Sequence, residues 1–482
     1  MYEADDLPMR HVRRIHFVGI GGAGMSGIAE VFNNLGYIVS GSDKSANRMT
    51  VHLKSIGVTI FEDHQDQNIS GADVVVFSSA IHDDNIEHVT AREQRIPTVP
   101  RAEMLAELMR FKRGIAVAGT HGKTTTTSLI ASILAEAGMD PTFIIGGLVH
   151  SVNSHARLGA GDFLVAEADE SDASFLLLNP LIAVLTNIDA DHMETYGGDF
   201  GKLRTSFVEF FKRLPFYGVA VVCIDDPNAY SMLPELRTRV VTYGTHEQAD
   251  VRGFDFQQHE GRSNYKVAQR NSAEVLEINL NMPGEHNMLN SLAAIAIAAE
   301  LQIPHDAIST ALTSFQGIGR RCQWMGETKI GTASVAVIDD YGHHPSELRV
   351  TIKAVRQGWP ERRLLVAFQP HRYSRTRDLF EDFVEVLKTT DALVILEVYP
   401  AGEDPIPGAD ARALCGAIRR RGKVDPIFVA DPATLPDALE DIAQSGDILL
   451  LLGAGSIGRV AEGMIFEPAA IDSNLPDPRK AD

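Results

Sequence analysis

The chain has 482 residues, 44% hydrophobic and 22% charged, a composition typical of soluble globular proteins and long enough for roughly three domains. A formal net charge of −20 excludes a general binder of nucleic acid or of anionic membrane. Anionic ligands must therefore be met where Lys, Arg, metal ions or backbone N–H groups gather locally. The three cysteines, Cys223, Cys322 and Cys415, show no CxxC spacing, so neither a disulfide framework nor a zinc site is expected. No apolar run of about 18 residues predicts a membrane span, and the acidic opening MYEADDLPMR predicts no secretory leader, so a cytoplasmic protein is expected.

In chain order, Arg14 to Val18 reads as a short buried strand, followed by a glycine-rich turn, a helix from Ala23 to Leu35 and a strand at Tyr37 to Val39. Asp73 to Phe77 is a further apolar, β-branched run, and a helix from Ala102 to Phe111 leads onward. The alternation is that of βαβ units on a parallel sheet. The turn itself, Gly19-Ile20-Gly21-Gly22-Ala23-Gly24, matches G-x-G-x-x-G. Its glycines permit a tight turn, and the helix that follows offers N–H groups to a diphosphate. Asp43 lies 19 residues past Gly24, at the spacing of a ribose partner. Local chemistry leaves a nicotinamide dinucleotide, another diphosphate and ligand-free packing all open.

A second series opens with a strand at Ile115 to Ala118 and the loop Gly119-Thr120-His121-Gly122-Lys123-Thr124. This phosphate loop is the more specific signal. Its backbone can wrap phosphate oxygens, Lys123 can reach the β- and γ-phosphates, and the Thr124 hydroxyl can hold Mg²⁺. It is a variant form, because Val117 stands where the usual first glycine would be. Strands at Phe163 to Ala166 and Ile182 to Thr186 each end in an acidic run, EADESD from Glu167 and NIDADH from Asn187. Strand C-termini line the ligand crevice of an open parallel sheet, so both runs should face the loop and hold metal. Gln248 to Leu280 fits a few antiparallel strands, and PGEHNMLN opens a helix from about Asn287 to Glu300.

Near Gly326 the pattern restarts, with strands expected at Val335–Ile338, Leu364–Phe368, Ala392–Leu396, Ile427–Val429 and Ile448–Leu452. DDYGHHP and QPHRYSRTR end the first two, a histidine and arginine gathering suited to a carboxylate or phosphate. A second G-x-G-x-x-G, Gly453 to Gly458, has too little chain after it for another βαβ unit and reads as packing. The Pro- and Asp-rich tail is expected to be disordered.

The glycine loop, GTHGKTTT, EADESD, NIDADH, PGEHNMLN, DDYGHHP and QPHRYSRT together resemble the Mur ligase family over residues 11 to 460. The resemblance implies an α/β fold in three domains: a Rossmann-like UDP-sugar domain (1–109), a central P-loop ATPase-type domain (110–326) and a Rossmann-like amino-acid and closure domain (327–465), with the tail at 466–482. It implies that ATP phosphorylates the lactyl carboxylate of UDP-N-acetylmuramate and that the amine of L-alanine attacks the acyl phosphate. ATP and Mg²⁺, two ions, are the implied cofactors, with no nucleic-acid partner and with monomer and homodimer both open.

The roles it implies are as follows. Lys123, His192, His343 and Arg372 are catalytic. Gly119, Thr120, His121, Gly122, Lys123, Thr124, Thr125, His286, Asn290 and Arg320 bind ATP. Gly19, Gly21, Gly22, Ala23, Gly24, Met25, Ser26, Asp43, Ser79 and Arg101 bind the UDP-sugar. His371 and Arg375 bind the amino acid, and Thr124, Glu167 and His192 hold metal. A nicotinamide-dependent oxidoreductase and a non-catalytic nucleotide-binding regulator are the competing classes.

Overall fold

Five short strands build the first sheet: β1 (Arg14–Val18), β2 (Ile38–Asp43), β3 (Thr59–Glu62), β4 (Val74–Phe77) and β5 (Thr98–Pro100). They are all parallel, in the order β3-β2-β1-β4-β5, so the chain reverses direction across the sheet at β1. In this computed structural model residues 8–9, 11–78, 81–149 and 154–466 are described. The predicted strand β1 and helix Ala23–Leu35 stand with those bounds. Strand β2 runs on to Asp43, beyond the expected end at Val39, because Ser40, Gly41 and Ser42 lack the apolar signature that marks a strand in sequence. Gly41 needs to be small, since a Cβ there would lie 2.5 Å from Ile20 Cδ1.

Ten strands form the second sheet: β6 (Arg113–Ala118), β7 (Thr142–Val149), β8 (Ser154–Arg157), β9 (Phe163–Glu167), β10 (Ile182–Leu185), β11 (Val219–Cys223), β12 (Arg239–Gly244), β13 (Val251–His259), β14 (Arg262–Gln269) and β15 (Val275–Leu280). Their order is β15-β14-β13-β12-β11-β10-β6-β9-β7-β8. From β13 to β7 the described pairings are parallel, and β6 lies between β10 and β9. Of the antiparallel strands expected between Gln248 and Leu280, β14 and β15 pair that way, whereas β13 joins β12 in parallel. The centre of the sheet is apolar on both faces: Ile115 and Val117 of β6 enter one core, and Ala116 and Ala118 the other. That second core is continuous with the one on the first sheet, where Ile15, Phe17 and Phe32 pack. Contacts accordingly gather residues 1–257 and 262–319 into one compact unit.

The second unit holds residues 258–261 and the described residues from Arg320 onward. Its six strands are β16 (Gln323–Ile330), β17 (Ala333–Asp340), β18 (Leu364–Phe368), β19 (Ala392–Leu396), β20 (Ile427–Val429) and β21 (Ile448–Leu452), in the order β16-β17-β21-β18-β19-β20. The last four match the expected spans, and β17 is longer at both ends. Strand β16 is antiparallel to β17. It had no apolar run to announce it, being an edge strand of mixed burial with a register shift between Trp324 and Gly326, so residue 326 falls inside it. Among the described residues no helix is long and apolar enough to cross a membrane. Residues 467–482 of the expected tail lie outside the described residues.

Candidate active site

The glycine loop leaves β1 and turns under the end of β2. The N–H groups of Gly19 and Ile20 both donate to the Ser42 carbonyl, at 2.9 and 3.1 Å, and Gly21 N–H donates to Asp43 Oδ2 at 2.8 Å. Gly19 needs its glycine, with φ +78°. A Cβ on Gly21 would lie 2.6 Å from Asn47 Nδ2 and 2.7 Å from Asp43 Oδ2. Asp43, expected on a ribose, thus also shapes the loop, and Asn47, not foreseen, closes it by donating to the Gly21 carbonyl at 3.1 Å. With the first three N–H groups used internally, the candidates among the described residues to meet a ligand are those at the start of the helix, Ala23, Gly24 and Met25 behind the cap residue Gly22. The Met25 side chain is in the core, so only its main chain is a candidate ligand, and Ser26 is buried with its N–H on the Gly22 carbonyl. Ser79 lies outside the described residues.

Arg101 opens its own helix and lies against Gly24, where a Cβ would come within 3.0 Å of its Nη1. Its Nη2 is 3.5 Å from Asp169 Oδ2 in the EADESD run. One guanidinium thereby links the glycine loop to the wall of the phosphate loop. That wall charge is a carboxylate: burial raises the Asp169 pKa, but Lys123, the Ser171 hydrogen bonds and Arg101 outweigh it and hold it below the usual range.

The phosphate loop sits where β6 ends. Both neighbours of β6 run parallel to it, so the EADESD run at the end of β9 and the NIDADH run after β10 flank the loop on opposite sides. The second flank is bonded to it. Thr186 Oγ1 donates to the His121 carbonyl at 2.7 Å, His121 N–H donates to Asn187 Oδ1 at 2.8 Å, and Asp189 N–H donates to Thr120 Oγ1 at 2.9 Å. His121 Nε2 lies 3.1 Å from Asp189 Oδ2. Gly119 (φ +131°) and Gly122 (φ +83°) take backbone conformations that favour glycine, and a Cβ on Gly122 would be 2.5 Å from Asn290 Oδ1.

Lys123 begins the helix Lys123–Glu136 and curls its ammonium back into the loop, donating to Gly119 O at 2.7 Å and to both Glu170 oxygens at 2.9 and 2.7 Å. Burial opposes its charge, but Glu170, Asp169 and Glu167 hold its pKa above the usual lysine value. Glu170, missed among the individual site residues, is 1% exposed, and its burial pushes its pKa up to about 7 against the pull of Lys123. Thr124 and Thr125, which follow Lys123 on the helix, are buried. Glu167 ends β9 half-buried and accepts Gly146 N–H on Oε1 at 2.7 Å. A hydroxyl at Thr124 and a carboxylate at Glu167 are oxygen donors of the kind Mg²⁺ takes. His192 has left-handed backbone (φ +54°), with Nε2 3.6 Å from Asp191 Oδ2.

His286 and Asn290 lie on the first turns of the helix Glu285–Glu300. Asn290 is buried, bonded to Thr126 Oγ1 at 3.3 Å and to Asn287 at 3.2 Å, so it braces the phosphate loop at Gly122.

In the second unit the ends of β17 and β18 come together. The His343 and His371 rings are 5.6 Å apart, and His371 stacks on Tyr399 at 5.5 Å. Arg375 is 8% exposed, with Nη1 3.4 Å from the His371 carbonyl. Burial, and then the positive charges of His343, Arg375 and Arg372, push His371 down to about 4. Arg372 (φ +71°) is more exposed and reaches Glu403 at 3.9 Å. Arg320, expected on ATP, belongs to this unit and spends its guanidinium on Asp339, at 3.0 Å, and on the Gly453 carbonyl. The second glycine motif is filled from within: a Cβ on Gly455 would lie 2.5 Å from Gln369 Oε1, one on Gly458 2.4 Å from Arg320 Cζ, and Ile457 N–H donates to Gln369 at 3.0 Å. Its glycines are packed against Gln369 and Arg320.

Three family profiles match in succession: "Mur ligase family, catalytic domain" over residues 14–113, "Mur ligase middle domain" over 117–298 and "Mur ligase, glutamate ligase domain" over 320–455. The solved UDP-N-acetylmuramate-alanine ligase of Thermotoga maritima is 29% identical, with a TM-score of 0.79 over 94% of this chain and 98% of its own. The murein peptide ligase of Psychrobacter arcticus has the same fold at 23% identity and a TM-score of 0.69, covering 95% of this chain and 100% of its own. So does the MurF ligase of Thermotoga maritima in complex with ADP, at 18% identity and a TM-score of 0.61, covering 89% and 94%. Two nucleotide-type loops and three α/β sheets, matched end to end by profiles of one family, leave a single conclusion: the chain belongs to the Mur ligase family.

Proposed function

We propose that this ligase joins L-alanine to the lactyl carboxylate of UDP-N-acetylmuramate. A carboxylate oxygen attacks the γ-phosphorus of ATP and ADP leaves. The uncharged amine of alanine then attacks the acyl-phosphate carbonyl, and phosphate leaves as the amide forms. The observation that carries this reading is the Arg101–Asp169 contact, which ties a diphosphate loop to the acidic wall of a phosphate loop within one unit. Two nucleotide sites serving one reaction suit a donor that carries its carboxylate on a nucleotide and a second nucleotide that activates it. Lys123 acts on the transferring phosphoryl group, whose charge it can stabilise. Thr124, Glu167 and His192 would hold Mg²⁺, which supplies neutralisation of phosphate charge when bound. His371 and Arg375 are the candidates for the amino acid, Arg375 through a planar fork that suits an α-carboxylate.

ADP release measured with ATP, Mg²⁺ and UDP-N-acetylmuramate, with and without L-alanine, tests the reading. Release that needs both and yields an amide of UDP-N-acetylmuramate supports it. Release driven by a peptide in place of alanine would transfer the chain to another acceptor class within the family. Thermal melts address the glycine loop. A ligand at about 100 times its dissociation constant stabilises the fold by about 2.7 kcal/mol, so UDP-N-acetylmuramate should raise the melting temperature and NAD should not. A shift with NAD and none with the UDP-sugar would overturn the assignment.

A further inference from the structure

Behind the glycine loop lies a buried polar hub that none of the roles above uses. Glu87, on the helix Ile86–Glu93, is 0% exposed. Its Oε2 accepts the Ser42 hydroxyl at 2.5 Å and lies 3.2 Å from His64 Nδ1. Its Oε1 accepts Asn68 Nδ2 at 2.6 Å and Gln65 N–H at 3.3 Å, and lies 3.8 Å from His16 Nε2. Five segments converge on this one carboxylate: β1 through His16, β2 through Ser42, the chain after β3 through His64 and Gln65, the turn Asp66–Ile69 through Asn68, and its own helix. Burial opposes its charge, yet the nearby His16 ring and the hydrogen bonds from Ser42 and Asn68 hold its pKa below the usual carboxylate range.

A buried ionised group is seldom the most stable choice for a core, since apolar residues of similar volume often serve as well or better. Its place explains its presence. Ser42 is the residue whose carbonyl takes the Gly19 and Ile20 N–H groups, and its neighbour Asp43 takes Gly21 N–H. The Ser42 hydroxyl therefore joins the anchor of the loop to a hub fixed on four other segments.

We infer that Glu87, acting through Ser42, is a positioning residue that sets the glycine loop for the diphosphate of the donor nucleotide. The inference rests on the UDP-sugar reading of that loop. The phosphate loop, in the same unit but on β6, has no bond to this hub among the described residues and serves as an internal reference.

Calorimetric titration of the full chain with UDP-N-acetylmuramate and, separately, with Mg²⁺-ADP tests it. Glu87→Gln keeps the shape of the side chain, and Ser42→Ala removes the linking hydroxyl while leaving the rest of the hub. Both should weaken UDP-N-acetylmuramate about tenfold and leave ADP affinity within twofold. In steady state the KM for the UDP-sugar should rise while that for ATP does not. Equal weakening of both ligands, or a lower melting temperature with unchanged UDP-sugar affinity, would reduce the hub to a structural element and overturn the inference. A parent chain that binds ADP but not UDP-N-acetylmuramate would instead sink the donor reading, and this inference with it.

Discussion

Removing the Lys123 ammonium takes away the charge proposed to act on the phosphoryl group and the counter-ion of a buried carboxylate at once. Lys123→Ala is expected to lose about 100- to 1,000-fold in ADP release, the scale of a lost transition-state contact. It should also lose about 3–5 kcal/mol of stability, because Glu170 is left buried without its partner. The double variant Lys123→Ala/Glu170→Gln separates the two: chemical denaturation should recover most of the stability, while activity stays lost. Activity within tenfold of the parent would remove Lys123 from the chemistry. His192→Asn, a residue type tolerant of left-handed backbone, should raise the Mg²⁺ concentration for half-activity about tenfold with an unchanged melt. An unaltered Mg²⁺ titration would take it out of the metal set. His371 gives a pH prediction. Its pKa is about 4 in the fold and about 6.5 when unfolded, so the folded chain binds fewer protons between those values. Its contribution to stability is complete above pH 6.5 and is lost as pH falls through 4. Asp340, pushed up by burial to about 6, works in the opposite sense, so the comparison must be between variants. His371→Asn should flatten the loss of melting temperature between pH 6.5 and 4.5, and an unchanged slope would contradict the burial argument.

At the scale of elements, the phosphate loop depends on what stands behind its glycines. Gly122→Ala adds a Cβ at positive φ and 2.5 Å from Asn290 Oδ1. We expect a stability loss of about 1–3 kcal/mol and a clear weakening of ATP. Asn290→Ala in the same chain should restore part of it, since it removes the clash and leaves the backbone strain. Full additivity of the two changes in a double-mutant cycle would show that they do not touch. Many of these elements were legible in advance, although β3, β5, β7, β8, β11 and β12 were not among the expected strands. The strands β1, β18, β19, β20 and β21 and the helix Ala23–Leu35 are announced by apolar, β-branched runs or by glycine punctuation, which are local signals. The end of β2 and all of β16 were hidden, because Ser-Gly-Ser and an edge of mixed burial carry no such pattern. The helix Glu285–Glu300 begins two residues before the expected Asn287, because the positive-φ Gly284, not the apolar face, sets its boundary.

For the molecule as a whole, the two units carry separate hydrophobic cores and different sites. Scanning calorimetry should resolve two transitions. Saturating UDP-N-acetylmuramate or ATP should move the one that belongs to residues 1–257 and 262–319, and leave the other where it was. A single transition shifted by either ligand would mean that the units unfold together. What the sequence determined by itself is the chemistry on offer: phosphate-binding glycine turns, a lysine, acidic runs at strand ends and a histidine–arginine gathering, each set by residues adjacent in the chain. What only the tertiary structure decided is how those groups are spent. Asp43 and Asn47 shape the glycine loop, Asn290 braces Gly122, Glu170 pairs with Lys123, Arg320 fills the second glycine motif, and Glu87 gathers five segments. Those partners are separated by about 20 to 165 residues, and no local pattern specifies a pairing across such a distance. Burial then sets their charge states, because the desolvation that shifts a carboxylate or an imidazole exists only once the chain has closed around it.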